Sequence, residues 1–306
     1  MMAMNCVVCV KQVPDTKRIT GEAMKEDGTV NRAALPAVFN PEDLNALEAA
    51  LDIRERCGGT VTVVTMGPVS ACEILRTALF MGADRVVLLT DWPRAAASDT
   101  LATSYILSCV IRKLPTPDVV LCGRQAIDGD TAQVGPQLAE KLSLPLVTYV
   151  EELIDVGADG LRARRNVGSG WEVVECRLPA LLTVMGSANT PRPPAARRIM
   201  KYKKARSPAE VAGEVNEALP DASDDERAAE QDRRLDALKR RGLLIEQWDL
   251  DDVEADLNWC GRGGSPTKVH RIQAVVLAGG DYHEYPATDK GVAQLVGELI
   301  EDHTIG

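Results

Sequence analysis

The stretch with the clearest potential for chemistry is residues 123–137, Gly-Arg-Gln-Ala-Ile-Asp-Gly-Asp-Thr-Ala-Gln-Val-Gly-Pro-Gln. It follows an apolar run at 119–122, which predicts a strand, and it leads into a helical pattern at 132–142. Open parallel sheets bind ligands beyond the carboxyl ends of their strands. A helix N-terminus at that edge offers unpaired N–H groups and the positive end of the helix dipole. The stretch therefore predicts a phosphate-binding site.

The side chains of this stretch leave a second interpretation open. Asp130 and Thr131 are typical N-cap residues. Gly123, Gly129 and Gly135 would let the backbone approach a ligand closely. Carboxylates repel anions, so we expect the aspartates to act as caps or as acceptors for ribose or backbone groups. The alternative to a ligand site is a capped helix that follows a tight loop.

The usual catalytic motifs are missing. The sequence has no P-loop and no G-x-S-x-G motif, and its three histidines, at 270, 283 and 303, are not at metal-ligand spacing. The only close cysteine pair, Cys6 and Cys9, lies on a predicted strand, where residues three apart point to opposite faces. We expect no catalytic acid, base or nucleophile and no metal site. The cysteines are interpreted as buried side chains of a reduced, cytoplasmic protein.

Composition excludes several classes of protein. The chain has 306 residues, 45% of them hydrophobic, and a formal net charge of −10. An acidic chain is not expected to bind nucleic acid or an anionic membrane surface. No uncharged apolar stretch reaches the length of about 18 residues that a membrane span requires, and the first residues lack the basic region of a signal peptide.

The elements that must position the loop alternate between strands and helices over the first part of the chain. Such alternation predicts βαβ units and a Rossmann-like, doubly wound parallel sheet of the α/β class. The predicted strands are residues 6–13, 61–65, 85–90, 119–122 and 146–150, and the predicted helices are residues 41–56, 70–81, 99–114 and 132–142.

The pattern changes after residue 150. Two apolar runs flank Gly168-Ser-Gly and predict a small β-hairpin extension, and one more strand follows. From residue 189 the chain is basic and rich in proline, which predicts an extended C-terminal arm. We divide the chain into an α/β domain, residues 1–188, and a partner-wrapping region, residues 189–306. Further predicted elements are the hairpin strands 161–167 and 171–178, strand 181–185, a charged helix 221–241, strand 272–277 and helix 291–301.

Several stretches of the sequence are similar to the β subunits of electron-transfer flavoproteins. They occur in the family's order and include the whole candidate loop. This resemblance implies the adenine nucleotide α-hydrolase-like variant of the Rossmann fold and an adenine nucleotide bound in it. The resembling stretches are residues 10–16, 39–42, 66–68, 76–84, 123–137, 178–180, 190–192 and 199–201.

The resemblance also implies which residues bind the nucleotide. They lie at three strand ends, before the first helix and along the candidate loop, and most contacts at Cys9, Val63 and Met66 would be made by backbone. Lys11, Gln12 and Arg124 are expected near the flavin or its phosphates. The implied binding residues are Cys9, Lys11, Asn40, Val63, Met66, Gly123, Arg124, Gln125, Ala126, Ile127, Asp128, Gly129, Asp130, Thr131, Ala132, Gln133, Val134, Gly135, Pro136 and Gln137.

Two branches of the resembling family differ in the nucleotide that they hold. Simple carriers hold AMP, whereas the electron-bifurcating branch holds a second FAD and accepts electrons from NADH. The loop at residues 126–136 resembles the bifurcating branch, as do residues 10–16 and 264–270. Gly129 and Ala132 are smaller than the residues at these places in the carriers, which leaves room for a larger ligand. We therefore expect FAD, with structural AMP as the alternative.

The resemblance implies partners for an electron-transfer subunit of an NADH-oxidising complex. These are an α subunit in a heterodimer, ferredoxin or flavodoxin, and a dehydrogenase or quinone reductase. The family's dehydrogenase-anchoring leucine is replaced by Ala196, so the dehydrogenase docking is in doubt. A third alternative, of another class, is a nucleotide-binding sensor of the same fold without redox function.

Overall fold

The element that positions the candidate site is a large twisted sheet with helices on both faces. We describe it from a computed structural model, which covers residues 3–15, 35–157, 160–267 and 284–301. The strands in these residues are β1 (Met4–Cys9), β2 (Gln12–Pro14), β3 (Ala37–Phe39), β4 (Gly59–Met66), β5 (Arg85–Leu89), β6 (Val119–Gly123), β7 (Leu146–Gly157), β8 (Gly160–Asn166), β9 (Trp171–Cys176), β10 (Ala180–Val184) and β11 (Glu246–Trp248).

Helices follow most of the parallel strands and then dominate the C-terminal part of the chain. Among the described residues, short 3₁₀ turns lie at Val69–Ala71 and Leu257–Trp259. The helices in the described residues are α1 (Pro41–Cys57), α2 (Cys72–Met81), α3 (Thr100–Lys113), α4 (Val134–Leu142), α5 (Ala196–Tyr202), α6 (Pro208–Ala218), α7 (Asp224–Arg240), α8 (Gly261–Gly264) and α9 (Asp289–Glu301).

The main sheet confirms the predicted fold class. Among the described residues its strand order is β11-β5-β4-β1-β6-β10-β7-β8-β9. Neighbours from β11 to β7 pair in parallel, and the predicted hairpin, β8 and β9, continues the sheet in antiparallel fashion. The chain runs outward from β1 through β4 to β5, and then returns to β6 on the other side of β1. This reversal places a topological switch point between β1 and β6.

Each face of the sheet is buried under helices over the strands β1, β4, β5, β6 and β10, which explains why these strands are apolar without alternation. On one face, Leu47 of α1 and Leu75 of α2 pack with Cys6 and other inward residues of the strands. On the other face, Ile106 of α3 packs with Cys9. Cys6 and Cys9 thus belong to opposite cores, as the strand periodicity predicted.

Two strands differ from their predicted extent because of tertiary pairing. The predicted strand 6–13 divides at Val10: β1 ends, and β2 leaves the main sheet to pair with β3. The division occurs where the backbone of Lys11 bonds to the start of α1 instead of to a strand. The predicted strand 146–150 continues as β7 to Gly157, because its second half pairs with β8.

The C-terminal part of the chain packs against the sheet. β11, which the sequence did not predict, pairs with β5, and Arg85 forms a bidentate ion pair with Glu246 across that pairing. The basic arm turns into α5, where the guanidinium of Arg198 donates to two carbonyl oxygens at the end of α2. Helix α6 was also not predicted, and it buries Val211 and Val215. The division of the chain at residue 189 stays a prediction.

Two predicted helices of the C-terminal part are present. The charged helix 221–241 corresponds to α7, which buries none of its residues, and the helix 291–301 corresponds to α9. The predicted strand 272–277 and the three histidines lie outside the described residues. Of the helices that the structure describes, none has the length and apolar character needed to cross a membrane.

Candidate functional site

The structure places most of the predicted binding residues near the switch point. Cys9 and Cys122 are paired neighbours at the carboxyl ends of β1 and β6. Lys11 follows β1, and the loop that follows Gly123 leads into α4. Asn40 immediately precedes α1 on the same edge, with its backbone N–H bonded to the carbonyl oxygen of Lys11 at 3.0 Å. The crevice between the two strand ends is therefore bounded by the candidate loop and the start of α1.

Asn40 anchors the candidate loop. Its side chain is fully buried. The amide Nδ2 donates to the carbonyl oxygen of Gln125 at 2.9 Å, and Oδ1 accepts from the N–H of Ile127 at 3.2 Å. These two bonds hold the backbone on both sides of Ala126. Direct contact between Asn40 and a ligand stays a prediction.

Asp43, which the sequence analysis missed, joins the two strand ends. Its carboxylate accepts from the N–H of Lys11 at 2.8 Å and from the N–H of Gly123 at 3.0 Å. Desolvation by burial raises the pKa of Asp43 from 3.8 to about 7, against the lowering effect of its hydrogen bonds. The signal available in the sequence was an acid in the first turn of a helix that begins at the ligand-binding edge.

Two of the three loop glycines are required by packing. A Cβ on Gly123 would lie 2.5 Å from Oδ1 of Asp43, and a Cβ on Gly135 would lie 2.6 Å from Cγ2 of Thr183. A Cβ on Gly129 would meet nothing within 4 Å. All three glycines were expected to let the backbone approach a ligand closely. Gly123 and Gly135 lie directly against protein atoms, which explains why these positions lack a side chain. Only Gly129 has open space beside it.

The cations near the loop are paired with carboxylates. Nζ of Lys11 lies 2.7 Å from both carboxylate oxygens of Asp128. The guanidinium of Arg124 lies 3.1 Å from Glu42, whose other carboxylate oxygen accepts from the N–H of Gln125 at 3.0 Å. The acids therefore orient the loop and offset its positive charge.

The N-terminus of α4 has no side-chain cap. Helix α4 begins at Val134, with Gln133 at the N-cap position, and within the described residues it has no side-chain cap hydrogen bond. The prediction that Asp130 or Thr131 caps this helix is wrong, because the loop turns through left-handed conformations at Asp130 and Ala132 and delays the helix start. Oδ1 of Asp130 instead accepts from Nε2 of the Gln125 side chain at 3.0 Å. The uncapped helix start, in which Pro136 contributes no N–H, can therefore receive an anionic group.

The remaining predicted residues differ in accessibility. Val63 is fully buried inside β4, paired with Val8 and Val86, whereas Met66 is half-buried at the end of that strand. Within the described residues, no group of three or more His, Cys, Asp or Glu side chains could hold a metal ion.

We predict that the thiols at the switch point resist alkylation in the folded protein. Burial raises the pKa of Cys9 to about 12, and burial also raises that of Cys122. A rise from 9.0 to about 12 lowers the thiolate fraction by about 1,000-fold at pH 8, and the thiolate is the reactive form. Timed iodoacetamide labelling with peptide mass analysis should modify the half-buried Cys57 first. Equal rates for Cys9 and Cys57 in native buffer would contradict this burial, and both should react after unfolding.

Comparison with known proteins assigns the chain to a family. The model of the electron transfer flavoprotein domain matches residues 27–212. The chain is 40% identical to the electron transfer flavoprotein subunit beta of Clostridium acetobutylicum, over 99% of this chain and 100% of that protein. It is 38% identical to the caffeyl-CoA reductase-Etf complex subunit CarD of Acetobacterium woodii, over 99% and 100% of the two chains. It is 39% identical to protein FixA of Azorhizobium caulinodans, over 89% and 84%.

The family model covers more than half of the chain, and the relatives align over nearly all of it. The residues that carried the resemblance, among them Asn40 and the loop after β6, meet at one crevice of the fold. The chain therefore belongs to the electron transfer flavoprotein family, in the group of its beta subunits and FixA proteins.

Proposed function

We propose that this chain is the β subunit of a bifurcating electron-transfer flavoprotein and binds FAD at the crevice between β1 and β6. The observation that carries the nucleotide part is the uncapped N-terminus of α4 at the topological switch point. The choice of FAD is supported by the loop at residues 126–136, which resembles the bifurcating branch.

The residues present at this edge fit a phosphate-containing ligand. The first turn of α4 lacks a side-chain cap, and the loop before it is exposed at Gly129, Asp130 and Thr131. A Cβ on Gly129 would meet no atom within 4 Å, so this position does not obstruct the larger of the two nucleotides. Backbone N–H groups, unlike lysine or arginine side chains, would then be the main donors to the phosphates, because both nearby cations already have carboxylate partners.

The chain's own residues bind and orient. Asn40 and Glu42 hold the backbone of the loop, and Asp43 sets the separation between the ends of β1 and β6. FAD, when bound, would accept hydride from NADH and pass on single electrons, as is usual for a flavin. A protein with this role needs no catalytic acid, base or nucleophile of its own.

The proposal includes the partners that the family resemblance implies. An α subunit with another FAD would complete a heterodimer, and ferredoxin or flavodoxin, with a dehydrogenase or quinone reductase, would receive the electrons. The C-terminal region from residue 189 would contribute to the contact with the α subunit. Exposed apolar side chains on α9, including Val292 and Ile300, support a partner-facing role for that helix.

Structural AMP in the same crevice is the second candidate. It is favoured by one observation: Lys11 and Arg124, the cations expected beside a flavin, are paired with Asp128 and Glu42. A simple carrier does not need a free cation at this place. Membership in the electron transfer flavoprotein family disfavours the third alternative, a sensor without redox function.

Nucleotide analysis of the purified heterodimer tests the proposal. We expect extraction and chromatography to recover about two FAD and no AMP per heterodimer if both subunits carry the redox cofactor. One FAD with one AMP would contradict the bifurcating function and leave the simple carrier. Absence of flavin from the complex would contradict both functions.

A further inference from the structure

The chain after β11 runs along α3 like a strap, which we define as residues 249–267. It begins beside Trp248, whose ring lies 4.9 Å from Nζ of Lys113 at the C-terminal end of α3. The same Nζ donates to the carbonyl oxygen of Asp252. Midway along the helix, the N–H of Asp256 donates to the hydroxyl of Tyr105 at 2.9 Å. The strap thus follows the whole of α3 towards its N-terminus.

The end of the strap is fixed to the N-terminus of α3 by four hydrogen bonds. The N–H of Gly261 donates to Oγ of Ser98 at 3.1 Å, and the N–H of Asp99 donates to Oγ of Ser265 at 2.9 Å. Thr267 donates to Oδ2 of Asp99 twice, from its N–H at 3.0 Å and from its hydroxyl at 2.6 Å. Ser265 is buried in this contact. Residues 261–267, the strap end, therefore form a defined contact with the N-terminus of α3.

The same turn of chain also contacts the candidate nucleotide site. Oδ1 of Asp99 caps α3 by accepting from the N–H of Ala102 at 2.9 Å. The next residue, Thr100, donates from its hydroxyl to Oε1 of Gln133 at 2.9 Å and accepts from Nε2 of Gln137 at 3.4 Å. Gln133 is the N-cap residue of α4. Asp99 and Thr100 therefore stand between the strap end and the uncapped helix end.

We propose that the strap is a positioning element of the nucleotide site, and that its seating on Asp99 and nucleotide binding at α4 stabilise each other through Thr100. The inference rests on the proposed function, since it takes the N-terminus of α4 as the place where a nucleotide phosphate binds. Asp99 and Thr100 are positioning residues in this arrangement, because they act through the strap and through Gln133.

The physical basis of this coupling is that the strap and the start of α4 both bond to the same turn, residues 99–100. A displacement of the turn at residues 99–100 changes the hydrogen bonds to the strap on one side and to the start of α4 on the other. A ligand that holds α4 in one position therefore favours the turn geometry in which the strap bonds form. Coupling between two binding equilibria is reciprocal, so a seated strap must strengthen nucleotide binding by the same factor by which bound nucleotide favours the seated strap. A variant that unseats the strap should therefore bind nucleotide more weakly.

The first measurement is hydrogen exchange on the heterodimer, with the nucleotide removed and then restored with FAD or AMP, whichever the purified complex retains. We expect the amides of residues 261–267 to exchange about fivefold more slowly with nucleotide bound, a factor at the lower end of typical coupling. A structural role for the strap that is independent of the site would leave these exchange rates unchanged, and unchanged rates would overturn the proposal.

The second measurement compares nucleotide dissociation constants for matched threonine variants. Thr267→Val removes the hydroxyl bond to Asp99 from an exposed residue, and we expect the dissociation constant to rise about fivefold. Thr116→Val, the same change at an exposed position in the loop beyond the other end of α3, should leave it unchanged. In a Thr100→Val background the effect of Thr267→Val should disappear, because the link to α4 is already broken.

The outcomes separate the inference from the proposed function. A wild-type heterodimer that binds neither FAD nor AMP in this subunit would refute the proposed function, and the inference with it. A wild-type complex that binds nucleotide normally, with the same dissociation constant for Thr267→Val and Thr116→Val, would overturn the strap's role and leave the proposed function intact.

Discussion

Gly123→Ala should lower the free energy of unfolding by about 3 kcal/mol, in the upper range for overpacking at a buried site. The added Cβ would lie 2.5 Å from Oδ1 of Asp43 and 2.8 Å from both the backbone nitrogen of Asp43 and the carbonyl carbon of Glu42. These atoms belong to the start of α1 and to a carboxylate that accepts from two N–H groups. Moving any of them would therefore cost stability. The strand end or the first turn of α1 must shift.

Gly129→Ala provides the matched control in the same loop, because its Cβ would meet no atom within 4 Å. Its unfolding free energy should stay within about 0.5 kcal/mol of wild type, as expected for an exposed surface change. Urea unfolding at neutral pH measures both variants. Equal stability of the two alanine variants would mean that the packing of Gly123 on Asp43 is not as the structure shows.

Asp43→Ala should destabilise the protein by about 3 kcal/mol at neutral pH, since it leaves one buried and one partly buried N–H group unbonded, at about 1–3 kcal/mol for a buried group. Those groups belong to Lys11 and Gly123, and they face each other across the crevice. The ends of β1 and β6 would lose their common acceptor. We therefore expect nucleotide to dissociate faster from this variant than from Gly129→Ala.

The titration of Asp43 gives the wild type a distinctive pH dependence. Its pKa is raised from 3.8 to about 7 on folding, so the folded protein binds the proton more tightly than the unfolded chain does. The stabilising contribution of the protonated form is complete below pH 3.8 and is lost as the pH rises to about 7. A shift of this size corresponds to roughly 4 kcal/mol.

Asp43→Asn tests this titration, because asparagine keeps the shape of the side chain and cannot ionise. As Asp43 ionises between pH 4 and pH 7, the buried charge destabilises the wild type and not the variant. The variant should therefore become progressively more stable than the wild type over this range. Urea unfolding of both proteins over this range gives the difference. A difference that does not change with pH would show that Asp43 titrates at its ordinary value in the folded protein.

Predictions made from local patterns were accurate where an element is determined by its own residues. Helix α1 was predicted within one residue of its end, since it begins with Pro41 and acidic residues and stops before Gly58. The strands of the parallel sheet were located by short apolar runs, and the β8–β9 hairpin by its Gly-Ser-Gly turn. The candidate loop was identified because it joins a strand to a helix at the ligand-binding edge.

Features that depend on distant residues were missed. β11 is three residues long and has no apolar run, and it forms because β5 offers a free edge and Arg85 pairs with Glu246. The start of α4 was placed too early, because nothing local to Asp130 reveals that its side chain bonds to Gln125 instead of capping the helix. Lys11 and Arg124 were expected near a ligand, and each is paired with a carboxylate that is distant in sequence, Asp128 and Glu42 respectively.

The sequence by itself determined the α/β class and the helices that cover the sheet, and it predicted residues 123–137 as a binding loop, which stays a prediction. It did so because helix signals, apolar strands and turn residues act over a few neighbouring positions. Only the tertiary structure decided that Asp43 bonds to the strand end at Gly123, 80 residues further along the chain, and that the strap reaches Asp99 from 168 residues away. Burial and long-range hydrogen bonding decide such contacts, because they depend on which segments meet in the folded protein and no local pattern records that.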